Sequence, residues 1–118
     1  MAKKILVVDD EPEIVGLIEI RLKHWGYDVV TAYDAEKCFQ VIEKEHPDLI
    51  LLDIVMPGMD GITACNRIRT TYNIPVIIVT ALHDYETMHD ASMFGAFDYI
   101  AKPIDDEKLK SKIEKALT

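Results

Sequence analysis

Four short apolar runs of the sequence each end at a residue that can do chemistry. The runs cover residues 5–8, 49–52, 76–79 and 99–101. The residues that follow them are Asp9 with Asp10, Asp53, Thr80 and Lys102. Runs of β-branched residues and leucine are typical of strands that are buried on both faces, as in a parallel sheet. Because parallel strands end at one edge, the pattern predicts that these carboxylates, the hydroxyl and the ammonium group lie close together.

The residue types at this predicted edge favour phosphoryl chemistry. Several carboxylates cannot share a small site as anions unless their pKa values rise or a cation binds among them. Mg²⁺ prefers oxygen ligands and commonly uses one or two carboxylates together with phosphate oxygens. A lysine and a hydroxyl can contact phosphoryl oxygens, and a carboxylate can act as a nucleophile that forms an acyl phosphate. The residues therefore indicate a Mg²⁺-assisted phosphoryl-transfer site.

Each of these residues also has an ordinary structural explanation. Asp10 could cap a helix, Thr80 could end a strand, and Lys102 could be a solvated surface residue. Four complementary endings at one sheet edge favour a functional site instead. The alternative function is a phosphatase of the haloacid-dehalogenase type, which needs a second aspartate two residues after the nucleophile, where this chain has Val55. The sequence contains no glycine-rich phosphate loop.

Strands alternate with helical patterns along the whole chain, which predicts an α/β fold. The expected helix starts, each a cap or a first-turn proline, are Pro12, Asp34, Asp60, Asp84 and Asp105. Right-handed crossovers then give a (βα)₅ doubly wound five-stranded parallel sheet of flavodoxin-like order 2-1-3-4-5. That order places strands one and three side by side, so Asp9, Asp10 and Asp53 are expected to meet.

Composition limits the classes of function. A length of 118 residues fits one domain, and a net charge of −8 argues against a nucleic-acid-binding surface. The basic N-terminus precedes too short an apolar run for a signal peptide, and no run approaches the roughly 18 residues of a membrane span. We expect a cytoplasmic protein without membrane contact. Cys38 and Cys65 are expected to be free buried thiols, and the histidines show no ligand-like spacing.

Four segments of the chain together resemble a bacterial response-regulator receiver domain. They are residues 8–11, 52–61, 79–81, and 95–96 with 99–103. The resemblance covers the full length and implies one CheY-like receiver domain over residues 1–118. It implies a phosphoprotein of a two-component system or phosphorelay, which catalyses only its own phosphorylation and slow dephosphorylation. The implied partner is a sensor histidine kinase or a histidine phosphotransfer protein. A single-domain regulator and a receiver trimmed from a longer regulator both fit the sequence.

The resemblance also implies individual roles for the carboxylates. Asp53 would be the phosphoacceptor, receiving its phosphoryl group from a phosphohistidine. Asp10 and Asp53 would bind Mg²⁺ directly, together with the backbone carbonyl of Val55, and Asp9 would assist through a water molecule.

Four further roles at the other strand ends follow from the resemblance. Lys102 and Thr80 would contact the phosphoryl group. Thr80 and Tyr99 would form the switch, in which movement of the threonine lets the tyrosine ring turn inward. The peptide bond between Lys102 and Pro103 would be cis, which bonds before proline permit at modest cost.

The first helix offers an expected partner-docking surface. Its core-facing residues are predicted to be Ile14, Ile18, Leu22 and Trp25. By helical angle Ile20 then lies on the opposite side and Leu17 on the flank. The face they form lies beside Asp10 and the site, where a kinase helix must approach to deliver a phosphoryl group. Single exposed apolar residues are also common without a function.

The side chains expected near an attacking water predict a long-lived acyl phosphate. They are Val55 and Leu82, two residues beyond Asp53 and Thr80. Neither can orient a water molecule through a hydrogen bond, so we expect slow hydrolysis.

Overall fold

The computed structural model describes residues 2–54, 61–81 and 95–118. Strands and helices alternate through the described chain as β1 (Lys4–Val8), α1 (Pro12–His24), β2 (Asp28–Ala32), α2 (Ala35–Glu45), β3 (Leu49–Asp53), α3 (Gly61–Thr71), β4 (Val76–Ala81), β5 (Asp98–Lys102) and α4 (Asp106–Ala116). The predicted fourth helix with its cap Asp84, and the predicted cap Asp60, lie outside the described residues. The helix named α4 is therefore the one that the sequence predicts after strand five.

The five strands form one parallel sheet in the order β2-β1-β3-β4-β5, as predicted. Each of the four predicted apolar runs lies within a strand, and each strand is longer than its run by one or two residues. Val8 of β1 is level with Leu52 of β3, and Asp53 is level with Val79 of β4. This register fixes which strand-end residues face one another at the carboxyl edge of the sheet.

The core lies on both faces of the sheet, because alternate strand residues point to opposite sides. One face packs against α2 and α3, whose buried residues include Cys38 and Ile68. The other packs against α1 and α4, whose buried residues include Leu22 and Leu109. The two layers of helices confirm the predicted doubly wound architecture.

Capping residues explain where two of the helices begin. Asp34 accepts a 2.7 Å hydrogen bond from the backbone N–H of Lys37 at the start of α2. Asp105 accepts bonds of 2.9 and 3.1 Å from the N–H groups of Glu107 and Lys108 at the start of α4. Both aspartates satisfy amides that have no partner within the helix.

The buried side of α1 differs in part from the prediction. Its buried residues are Val15, Ile18 and Leu22, whereas Ile14 and Trp25 are only half-buried at its margins. Ile18 and Leu22 therefore face the core as predicted, while Val15 is buried in place of Ile14, and Ile14 and Trp25 pack at the margin of the same cluster. Ile14 instead lines a groove beside Ile104, which follows β5.

Both cysteines are free and buried, as the sequence predicts. Burial raises the pKa of Cys38 to about 12, with a smaller contribution from the charge of Asp34. Burial raises the pKa of Cys65 to about 11, against the opposing charge of Arg69. Both thiols are therefore protonated and unreactive at neutral pH.

No helix in the described part of the chain is long and apolar enough to cross a membrane.

Candidate functional site

Three aspartates lie together at the carboxyl edge of the sheet. Asp53 is the last residue of β3, while Asp9 and Asp10 directly follow the neighbouring strand β1. One carboxylate oxygen from each lies within 4.8 Å of the others. Asp9 is 1% exposed and Asp53 5% exposed, whereas Asp10 is exposed to solvent. The structure thus brings together all three of the predicted carboxylates.

The backbone around Asp9 and Asp10 excludes the simple capping explanation. The N-cap residue of α1 is Glu11, and its side chain makes no capping hydrogen bond. Asp9 accepts a 3.0 Å hydrogen bond from the N–H of Glu11, and the Asp9 N–H donates to the carbonyl of Ala32 at 3.2 Å. Hydrogen bonds to β2 and to the start of α1 therefore hold Asp9 in place, while Asp10 does not cap the helix.

Lys102 is an integral part of this cluster and not a solvated surface residue. Its Nζ lies 2.9 Å from Asp9 Oδ2 and 3.3 Å from Asp53 Oδ2, and its side chain is 19% exposed. Burial lowers the pKa of Lys102, but the hydrogen bond to Asp9 and the charges of Asp53 and Asp9 outweigh this, so the pKa is raised. Lys102 is therefore charged at neutral pH.

The cluster has an excess of negative charge, which favours the binding of a cation. One ammonium group can offset only one of the three carboxylate charges that converge here. The donors are oxygens, which suits a hard divalent ion better than zinc or copper. The cluster could therefore hold a metal ion.

Thr80 lies one residue beyond Val79, the β4 partner of Asp53. The Thr80 side chain is fully buried. Its Oγ1 has no hydrogen-bond partner within the described part of the chain. A buried hydroxyl without a partner is costly and uncommon. A threonine that only ends a strand does not need such a buried hydroxyl, so this explanation does not account for Thr80.

Tyr99 lies in β5, half-buried against the face that also contacts α2 and α3. Its N–H donates to Asp98 Oδ1 at 2.8 Å. Lys112 of α4 donates to the Tyr99 carbonyl at 2.8 Å and to Asp98 Oδ1 at 3.0 Å. The Lys112 Nζ also lies 5.7 Å from the centre of the Tyr99 ring. Asp98 and Lys112 could not be identified from the sequence, because a residue pair 14 positions apart on a strand and a helix has no periodic signal.

The remaining predicted residues lie near the site or outside the residues that the structure describes. The peptide bond between Lys102 and Pro103 is cis. Leu17 and Ile20 of α1 are 53% and 68% exposed. Leu17 lines a groove that reaches Lys102. The other residues that line this groove are Ile14, Ile18, Arg21, Pro103 and Ile104. Val55 and Leu82 lie outside the described residues, so their predicted roles stay predictions.

Comparison with known proteins identifies the family of proteins to which this chain belongs. Residues 5–114 match the family model of the response regulator receiver domain. The chain therefore belongs to the response-regulator receiver family, the phosphorylation-dependent signalling domains of two-component systems.

Two curated relatives that the chain matches are longer than this chain. "Probable transcriptional regulator ycf27" of Porphyridium aerugineum is 40% identical over 115 residues, which are 98% of this chain and 48% of the relative. The protein of the same name from Cyanophora paradoxa is 43% identical with the same coverage. The chain thus spans about half the length of the curated relatives it matches.

Solved structures of receiver domains have the same fold. The BeF₃-activated N-terminal receiver domain of RstA from Klebsiella pneumoniae is 35% identical with a TM-score of 0.90, covering 98% of each chain. The response regulator TrrA from Thermotoga maritima, solved in complex with Mg²⁺-BeF, is 35% identical with a TM-score of 0.87, covering 98% of this chain and 99% of TrrA.

Proposed function

We propose that Asp53 accepts a phosphoryl group from a phosphohistidine on a sensor histidine kinase or a histidine phosphotransfer protein. The observation that carries this proposal is the position of the Asp53 carboxylate. It is buried at the end of β3, 3.3 Å from the Lys102 ammonium, and its oxygen lies within 4.8 Å of oxygens of Asp9 and Asp10. The phosphorylated protein would change its binding of a downstream protein, or would pass the phosphoryl group on.

The residues for a metal ion fit Mg²⁺. Asp10 and Asp53 would hold the ion directly and Asp9 through a water molecule, with the Val55 carbonyl outside the described residues as the further ligand. When bound, Mg²⁺ supplies charge neutralisation for the carboxylates and the phosphoryl oxygens. The TrrA structure in complex with Mg²⁺-BeF supports this choice of ion.

The transfer needs a nucleophile and groups that offset negative charge. A carboxylate oxygen of Asp53 attacks phosphorus, the bond from phosphorus to the histidine nitrogen breaks, and the nitrogen keeps the electron pair. Lys102 then exchanges its hydrogen bond to Asp53 Oδ2 for one to a phosphoryl oxygen, while its 2.9 Å bond to Asp9 keeps the ammonium in place. The Thr80 hydroxyl, buried without a described partner, donates to a second phosphoryl oxygen.

Intact mass spectrometry after incubation with acetyl phosphate and Mg²⁺ tests this function against the hydrolase alternative. A receiver domain gains the mass of one phosphoryl group and releases phosphate only slowly. A hydrolase of haloacid-dehalogenase type turns over many equivalents of a phosphate ester without a lasting adduct. Turnover without an adduct would contradict the proposal.

The switch would run from Thr80 to Tyr99. Movement of Thr80 toward the phosphoryl group leaves space beside β5, into which the half-buried Tyr99 ring can turn. This changes the surface around β5 and α4, where Lys112 contacts Tyr99. Moving a population from 1:99 to 99:1 requires phosphorylation to favour the active state by about 5.5 kcal/mol.

Replacing Thr80 with valine should stabilise the unphosphorylated protein while uncoupling the switch. Valine keeps the β-branched shape and removes a buried hydroxyl that lacks a described partner, so we expect the free energy of unfolding to rise by about 1 kcal/mol. Urea unfolding measures this change. NMR shifts around Tyr99 should respond to phosphorylation in the wild type and much less in Thr80→Val.

Thr80→Ser is the matched control, because it keeps the hydroxyl and should keep the response at Tyr99. A Thr80→Val protein that is less stable than the wild type would show that the hydroxyl has a partner in the unphosphorylated state. A full Tyr99 response in Thr80→Val would show that the switch does not run through this hydroxyl.

The exposed apolar residues of α1 are proposed to dock the phosphodonor protein. Leu17 lines the groove that reaches Lys102 and Pro103, and Ile20 lies outside its lining. Leu17→Glu should therefore slow phosphotransfer from the cognate kinase by about tenfold or more, since burying an unpaired charge at an interface costs more than 1.4 kcal/mol. Ile20→Glu should slow it less.

Labelling by acetyl phosphate serves as the control for both α1 variants, because a small donor needs no docking surface. It should proceed at the wild-type rate. Equal loss with the kinase and with acetyl phosphate would indicate damage to the fold. Wild-type transfer from the kinase to both variants would contradict docking on this helix.

A further inference from the structure

Gly61, the first residue of α3, touches the main chain of the phosphoacceptor. Its N–H donates a 2.8 Å hydrogen bond to the carbonyl of Ile54, the residue that follows Asp53. A Cβ added at Gly61 would lie 2.8 Å from the carbonyl oxygen of Asp53 and 2.9 Å from the carbonyl carbon of Ile54. Real Cβ atoms essentially never approach other atoms within 3.0 Å. Only glycine fits at this position without a shift of the chain.

Neither side of this contact can move at low cost. The atoms that a side chain would meet belong to backbone, not to the end of a flexible side chain. Strand β3 is held between β1 and β4, with Leu52 level with Val8 and Asp53 level with Val79. On the other side, α3 is anchored by Ala64, Cys65 and Ile68, which are fully buried. Close-packed interiors transmit such a displacement and do not absorb it locally.

The atoms in contact belong to Asp53 and the residue that follows it, so a shift of these atoms also displaces the main chain that carries the Asp53 side chain. Its carboxylate lies 3.3 Å from the Lys102 Nζ and shares the cluster with Asp9 and Asp10. Phosphoryl transfer depends mainly on positioning and charge. A misplacement of about 1 Å in a reacting group can cost about 100-fold in rate.

We propose that Gly61 is a positioning residue for phosphoryl transfer, whose missing side chain lets α3 hold the Asp53–Ile54 backbone at the distance that aims the Asp53 carboxylate at its cluster. This inference rests on the proposed role of Asp53 as phosphoacceptor. It assigns the glycine a role in the reaction beyond starting a helix.

The test compares Gly61→Ala with Gly26→Ala. Gly26 has a φ of +92°, so alanine is strained there, but nothing lies within 4 Å of the position its Cβ would take. Gly26 precedes β2 at the opposite edge of the sheet. It therefore controls for loss of stability without contact with the site. Both variants are labelled with acetyl phosphate and Mg²⁺ at a temperature where circular dichroism shows each of them folded.

We expect Gly61→Ala to label at least about tenfold more slowly than the wild type, and Gly26→Ala to stay within about twofold. A second readout needs no reaction. Mg²⁺ titration followed by the amide shifts of Asp9 and Asp10 should show severalfold weaker binding in Gly61→Ala and unchanged binding in Gly26→Ala. A residue with a purely structural role would change the melting temperature and neither of these quantities.

Each outcome decides between the claims. Equal labelling and equal Mg²⁺ affinity in the two folded variants would overturn the role of Gly61. Failure of the wild-type protein to label would instead overturn the proposed function. If Gly61→Ala is unfolded in buffer, the comparison is made for all three proteins in trimethylamine N-oxide, which favours the folded state, with rates given per folded molecule.

Discussion

Replacing Asp53 with asparagine is expected to abolish phosphorylation and to leave the fold intact. The amide has nearly the same shape as the carboxylate but is not a nucleophile, so no acyl phosphate can form. Asp53 is buried at the site and not within an apolar cluster, so packing is retained. Removing one of three converging carboxylates also relieves repulsion. Intact mass after incubation with acetyl phosphate, and thermal unfolding, measure the two effects.

Asp28→Asn is the matched control, because Asp28 is an exposed residue at the start of β2, away from the carboxyl edge. It should label like the wild type. A phosphoryl adduct on Asp53→Asn at the wild-type rate would exclude Asp53 as the acceptor. Peptide mapping of that adduct would then identify the residue that carries it.

The sheet could be predicted from the sequence because its strands are buried on both faces. Such strands appear as uninterrupted apolar runs, and parallel strands end at one edge, so the meeting of Asp9, Asp10 and Asp53 followed from chain order alone. The partner of Lys102 did not follow. Its 2.9 Å bond to Asp9 reaches from β5 past β4 and β3 to the end of β1, and only side-chain geometry determines that reach.

The burial of Val15 in place of Ile14 has a physical cause in the composition of α1. Apolar residues occur almost all round it, at Ile14, Val15, Leu17, Ile18, Ile20 and Leu22. A helical pattern can then be drawn with more than one phase. The packing against the sheet selects Val15, Ile18 and Leu22, and Ile14 lines a groove together with Pro103 and Ile104, which follow β5. Periodicity alone cannot supply those tertiary neighbours.

The role of Gly61 also could not be predicted from the sequence, because it depends on tertiary contacts. An isolated glycine after an aspartate is typical of a turn or a helix start, and nothing in the local sequence shows that another part of the backbone lies close to it. Its close approach to the backbone after Asp53 depends on how α3 packs against β3. Long-range contacts of this kind are visible only in the folded chain.

Replacing Lys102 with methionine is expected to slow phosphorylation by about 100-fold, since a preorganised charge at the phosphoryl group is lost. It should also destabilise the Mg²⁺-free protein by about 2 kcal/mol, because Asp9 and Asp53 are buried and lose their ammonium partner. Labelling with acetyl phosphate measures the first effect and urea unfolding the second. Lys115→Met, on the exposed last turn of α4, should change neither.

Mg²⁺ provides the sharper test of this electrostatic argument. In the wild type, Lys102 already offsets part of the charge of the three carboxylates, and Lys102→Met removes that ammonium group. An ion that binds only the folded state stabilises it by RT ln(1 + [Mg²⁺]/Kd), so tighter binding gives a larger stabilisation at the same Mg²⁺ concentration. Mg²⁺ should therefore raise the melting temperature of the wild type, and raise that of Lys102→Met by more. Equal shifts in the two proteins would show that the lysine and the carboxylates do not act as one site. A melting temperature unaffected by millimolar Mg²⁺ in both would exclude a metal site built from Asp10 and Asp53.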